Sequence, residues 1–390
     1  MNSRGARIFL GLCFAALLLV AGYVWHVKQR LTAASASPPA AATPGVAATP
    51  APPPEPAPVD APPAEASGSQ AAAVAQAAPV AQPAVPATPM QQLFFRSTSV
   101  DQHYGSVAWV DVAKPRTVHY VDSLRCEVVY VAGGHGICLS AERGVFTTYA
   151  ASFFDTRSFK VAGSFALKGI PSRARVSIDG KLAALTVFVS GHGYTTLDFS
   201  TQTLIVDVRS AAVLADLEDF EVRRDGAVVK AADFNFWGVT FTPDARQFYA
   251  TLSTAGKHLL IRGDIATRQA EVLHDNVECP SLSPDARHVA YKKRLIVDGR
   301  ILWQLQVLEL ESGREIPLAE KRSIDDQLEW LDARHVLYSV PSSPDDSSPG
   351  TDVWSAAIDS RSPPVRFIRN AYSPATARCS DSAACAVASR

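Results

Sequence analysis

Few residues in this chain are typed and spaced for chemistry. Two Gly-His-Gly triplets, Gly134-His135-Gly136 and Gly191-His192-Gly193, look like paired histidine loops; imidazoles brought together would bind a metal or relay protons. Asp345, Asp346 and Asp352 gather the hard oxygens a calcium ion takes, but their spacing matches no EF-hand loop, and Ser and Pro around them indicate a surface loop. A third set mixes acids, amides and an indole: Asn235, Trp237, Asn276, Glu278, Asp325, Asp326 and Glu329. There is no G-x-S-x-G elbow, no HExxH and no phosphate-binding glycine loop. Accordingly no catalytic residue, metal ligand or cofactor is assigned. The six cysteines form no CxxC pair and no zinc-type cluster with histidine. Cys126 with Cys138, and Cys379 with Cys385, are local pairs that a hairpin would bring into disulfide range; buried free thiols are the alternative, and the state of Cys279 stays open.

The elements that must position these residues are short strands. From about residue 95 onward the apolar runs are four to eight residues long, rich in β-branched and aromatic side chains, and broken by Gly, Pro and Asp. The runs repeat. Phe-Thr-Pro-Asp-Ala-Arg at 241–246 aligns with Leu-Ser-Pro-Asp-Ala-Arg at 282–287, with Trp-Leu-Asp-Ala-Arg at 330–334 and with Val-Ser-Ile-Asp-Gly-Lys at 176–181. The shared aspartates, Asp179, Asp244, Asp285 and Asp332, are 65, 41 and 47 residues apart. Each marks a hairpin in which proline presets φ, aspartate caps the turn, and Gly or Ala opens the next strand. A further strand pair follows each hairpin, so one repeat supplies the four strands of a propeller blade.

These motifs resemble the TolB-like family of six-bladed β-propellers, most clearly between 236 and 359. Alanine replaces the family's usual glycine after Asp244 and Asp285, a change a type I turn is expected to tolerate. Blades are expected to start near Cys126, Arg173, Trp237, Cys279 and Asp325. A sixth would join a C-terminal hairpin from Tyr372 to an N-terminal hairpin at 104–120, which closes the ring and removes open sheet edges. In that frame the two histidine triplets occupy consecutive turns on opposite faces and do not share a site. Asn235, Trp237, Asn276, Glu278, Asp325, Asp326 and Glu329 instead fall where innermost strands begin, around one mouth of the central channel.

Ahead of the propeller lie two other segments. Residues 8–27 carry no charge and are about the length that spans a bilayer core of roughly 30 Å; Arg4 and Arg7 precede them, leaving 1–7 as a short tail. They are read as a single-pass signal-anchor in place of a cleaved signal peptide, with the N-terminus cytoplasmic. Residues 33–89 hold 15 of the 27 prolines and only three acids, with no base and no aromatic, a composition expected to form an extended stalk. Charge is nearly balanced, so nothing points to nucleic acid. The TolB resemblance implies a protein-binding role in the cell envelope. The expectation is a monomeric, membrane-anchored propeller, periplasmic or extracellular, that binds an envelope protein without catalysis. The alternative is a small-ligand or metal-dependent hydrolase-type propeller whose channel-mouth acids converge on one point.

Overall fold

A computed structural model describes residues 91–190, 199–343, 350–359 and 361–377. The anchor at 8–27, the stalk at 33–89, the Gly191-His192-Gly193 triplet, Asp345, Asp346 and the Cys379/Cys385 pair lie outside the described residues. Among the described residues no helix is long and apolar enough to cross a membrane.

Strands dominate because the sequence alternates short apolar runs with turn residues, and the strands group into six sheets. In chain order, β1 (Gln92–Ser97), β2 (Ser106–Asp111) and β3 (His119–Arg125) come first. Blade 1 is β4 (Val128–Ala132), β5 (His135–Arg143), β6 (Thr147–Asp155) and β7 (Val161–Leu167). Blade 2 is β8 (Ile170–Val176), β9 (Leu182–Ser190), β10 (Ser200–Asp207) and β11 (Ala212–Asp216). Next come β12 (Glu221–Arg224) and β13 (Ala227–Val228), which extend the outer edge of blade 3. Blade 3 proper is β14 (Asn235–Phe241), β15 (Gln247–Thr254), β16 (Lys257–Asp264) and β17 (Gln269–Asp275). Blade 4 contains β18 (Glu278–Leu282), β19 (His288–Val297), β20 (Arg300–Glu309) and β21 (Glu315–Pro317). Blade 5 contains β22 (Glu329–Trp330), β23 (His335–Pro341), β24 (Thr351–Ala357) and β25 (Val365–Ile368). Finally β26 (Ala371–Thr376) returns to the beginning of the ring.

Closure differs from the expected two-plus-two arrangement. Blade 6 has the order β26-β1-β2-β3, so the C-terminal side supplies one strand, the innermost, and the N-terminal side supplies three. β1 pairs antiparallel with β26, Leu93 opposite Thr376 and Ser97 opposite Ala371. The run Gln-Leu-Phe-Phe-Arg-Ser is buried at every position, so it shows no period-2 alternation to mark it as a strand.

Because antiparallel strands alternate in direction, every innermost strand runs the same way. We call the face where these strands begin the upper face and the other the lower. Turns between the second and third strands of each blade stand on the upper face, and turns between the first and second on the lower.

The aspartate turns lie on the lower face, and their geometry corrects one expectation. Gly180, Ala245 and Ala286 have φ of 71°, 55° and 56°, each following the type I turn in the left-handed region. The alanines therefore occupy positions that favour glycine instead of being freely tolerated. Asp244 accepts from the Thr242 hydroxyl at 2.7 Å and from the Arg246 amide at 3.1 Å, and Asp179 and Asp285 do the same for their own turns. Gly134-His135-Gly136 is structural: the turn's Gly133 meets the Gly180 backbone of the next blade, and a Cβ on Gly136 would sit 2.1 Å from the Phe154 ring.

The apolar core is divided into wedges between neighbouring blades. One wedge joins Ala174, Leu185 and Val206 of blade 2 to Ile137 and Phe153 of blade 1. Others join blades 2 and 3 around Ile205, Phe236 and Phe248, and blades 4 and 5 around Leu305, Trp330 and Tyr338. Side chains that point along the axis have no wedge to enter. There the sequence places charge.

Candidate functional site

The central channel is filled by two linked groups of buried charges. In β8, Arg173 and Arg175 are separated by one residue, so strand alternation sends both side chains to the same side. Arg175 reaches across the axis to Glu329 of β22 and to the Leu328 carbonyl, and donates to the Ser281 hydroxyl of β18 at 2.9 Å. Its guanidinium lies 4.6 Å from the ring centre of Tyr130, whose own hydroxyl donates to Glu329 at 3.1 Å. The Thr376 amide completes the carboxylate's shell at 3.3 Å. Five innermost strands, β4, β8, β18, β22 and β26, are thus tied around one ion pair.

Above this layer Lys292 of β19 pairs with Asp325 and stands 3.6 Å from Glu278. Arg173 stands 3.6 Å from the same Asp325 oxygen. Glu278 accepts from His258 at 2.8 Å and from the Trp303 indole at 3.1 Å, and the Lys292 ammonium sits 4.5 Å from the Trp303 ring centre. Burial pushes the Glu278 carboxyl up, but Lys292, His258 and Trp303 outweigh it and hold the group at about 2. Burial also dominates at Asp326, pushing its carboxyl above the usual range, although Arg173 and the amides of Ser339 and Gln327 oppose the shift.

The seven residues read from sequence as the channel mouth divide accordingly. Glu278, Asp325 and Glu329 come together in the charged plug, with Asp326 beside it under the turn into β22. Trp237 does not reach the channel: it is fully buried with Phe188, Cys279 and Trp303. Asn235 bridges blades, accepting from the Thr201 amide at 2.9 Å. Asn276 straps the loop before β18 to β19 through both the amide and the carbonyl of Arg294. Sequence reasoning missed the cationic half, Arg173, Arg175 and Lys292, together with His258 and Tyr130. The Arg-Ala-Arg spacing inside an otherwise buried strand was the available signal.

The plug divides what space remains. Below it, a cavity of about 70 Å³ is lined by Tyr130, Arg175, Ile178, Phe241, Pro243 and Pro284. Above it, a cavity of about 20 Å³ touches Arg173, Arg175, Asp326 and Tyr372. Both fall well short of the several hundred Å³ typical of small-molecule sites. Among the described residues no three His, Cys, Asp or Glu side chains are grouped to hold a metal ion.

No protein-family model matches the chain, and no curated protein matches it by sequence. Solved structures do resemble it. TolB from Acinetobacter baumannii superimposes with a TM-score of 0.51 at 15% identity, over 74% of this chain and 67% of that one. The chain has the TolB propeller fold. A putative TolB from Agrobacterium tumefaciens is also similar, with TM-score 0.43 and 10% identity over 72% and 88% of the two chains. So is the hydrazine synthase of Kuenenia stuttgartiensis, with TM-score 0.42 and 15% identity over 68% and 76%.

Proposed function

We propose that this chain is a membrane-tethered, extracytoplasmic propeller that works as a non-catalytic, monomeric protein-interaction module of the cell envelope. The plug is the observation that carries the reading. A channel closed by Arg175–Glu329 and Lys292–Asp325 has little space for a small substrate, so recognition falls to the broad loop-built faces. The hydrolase alternative needs carboxylates open toward one point, whereas Glu278, Asp325 and Glu329 each face a cation. The Cys126–Cys138 disulfide supports an oxidising compartment, as do the uncharged segment 8–27 and the proline-rich segment that follows it. The fold shared with TolB supports an envelope role by analogy.

The lower mouth suits a partner segment, because Ile178, Phe241, Pro243 and Pro284 form a shallow apolar rim over the Arg175 floor. The test is a photo-crosslinking residue at Ile178 in the full chain, expressed in its native membranes, with one at Thr267 as control. A discrete adduct with one identified protein from Ile178 alone is the expected result. No adduct, or the same adducts from both positions, would overturn the reading.

A further inference from the structure

The four most exposed large apolar side chains among the described residues are Val145 (96%), Phe146 (83%), Ile296 (73%) and Val100 (67%). All four stand at turns between second and third strands, or on the strand leading into one, on the upper face. Val145 and Phe146 share one tip, so the four residues mark three separate turns of that face. Val145 and Phe146 form the tip of the β5–β6 hairpin in blade 1. Ile296 belongs to the β19–β20 hairpin in blade 4, whose ten-residue strands are the longest of the described residues. Val297 and Leu302 are exposed beside it, and Asp298 and Gly299 close the turn with φ of 49° and 72°. Blades 1 and 4 are opposite one another in a ring of six.

We infer that the upper face docks on a phospholipid bilayer, with these two hairpin tips inserted at the interface. Protein interfaces concentrate apolar surface at the centre and polar groups at the rim. Here the centre is the charged mouth of Asp325 and Arg173, and the apolar groups are separate tips around it. A protein partner would need an individual pocket for each tip. A bilayer offers one continuous apolar phase that two opposite tips enter together.

Charge complementarity points the same way. Arg294 and Arg300 flank the blade 4 tip and outnumber Asp298 of its turn, whereas Arg143 beside the blade 1 tip is already paired with Glu127 at 2.9 Å, so the attraction to lipid phosphates centres on blade 4. At the root of the blade 4 hairpin a cleft of about 290 Å³ is lined by Lys257, His258, Asp275, Asn276, Arg294 and Ile296. Arg224 already neutralises Asp275 at 3.0 Å, so the cleft presents Lys257 and Arg294 to an anionic headgroup. This docking is separate from the tether read at 8–27, and it leaves the lower face free for a partner.

The test uses the full chain in phosphatidylcholine vesicles, with and without phosphatidylglycerol, made with brominated acyl chains that quench nearby indoles. F146W and I296W report on the two tips, and T267W on the lower face reports what the tether alone produces. Expected is a loss of the added emission in F146W and I296W that T267W does not show, larger with phosphatidylglycerol. The F146W loss shrinks when Ile296→Asp is added, because both tips share one plane. Quenching at the tips no greater than at T267W overturns the proposal, whether or not the chain is vesicle-bound. So does shielding of the tips that grows with chain concentration in the absence of lipid, which would assign them to a protein surface. Thermal unfolding of each variant verifies that these exposed substitutions leave the fold intact.

Discussion

Glu278 shows how a residue that looks like a ligand donor can be committed to structure. Its carboxylate is buried against Lys292, His258 and Trp303, and each of those groups in turn needs it. Glu278→Gln would remove one of the two carboxylate charges that face the buried Lys292. The variant is expected to lose about 3 kcal/mol at neutral pH in chemical denaturation. The pH dependence has a definite sign. The folded value of about 2 lies below the ordinary 4.5, so this stabilisation is present above the ordinary value and is lost as pH falls toward 2. The gap between wild type and variant therefore closes over that acidic window, and an unchanged gap would refute the assignment. Glu278, Asp325 and Glu329 were legible in sequence as inner-strand acids. Their cations were not, because Arg175 and Glu329 are 154 residues apart and only ring closure makes them neighbours.

At the scale of the element, the aspartate hairpins are both the clearest signal in the sequence and the place where its reading needed revision. Pro-Asp correctly marks the type I turn, which the Ala286 N–H closes by donating to the Ser283 carbonyl, but Ala286 then takes positive φ as the chain returns for the Ser283 N–H to donate to the His288 carbonyl. Ala245→Gly and Ala286→Gly relieve a left-handed cost of about 1–2 kcal/mol each, partly offset by the added freedom of the unfolded chain. A net gain of roughly 0.5–1 kcal/mol per site is expected, read as a raised Tm. Gly180→Ala is the opposite case. Its Cβ would stand 2.6 Å from the Gly133 carbonyl oxygen of the neighbouring blade, so a loss larger than either gain is expected. Equal effects at the three positions would show that φ and packing are not what distinguishes them.

The whole molecule is held by its closure. β26 is the innermost strand of blade 6, and deleting residues 371–377 would strip that strand from β1 and leave a buried edge open. Loss of cooperative unfolding, with aggregation, is the expected outcome, and a soluble five-bladed remainder with a normal transition would contradict it. The Cys126–Cys138 disulfide lies in the wedge between blades 6 and 1 and closes a loop with a sequence separation of 12. Replacing both cysteines with serine is expected to cost about 3 kcal/mol in denaturation. By itself the sequence determined the all-β class, the repeat and the blade starts, because these follow from local period and turn chemistry, and it left Cys126 and Cys138 as either a disulfide or free thiols. Only the tertiary structure decided the one-plus-three closure, the neutralised channel and the opposed apolar tips. Each depends on which distant strands become neighbours in a closed ring, and local periodicity carries no information about that.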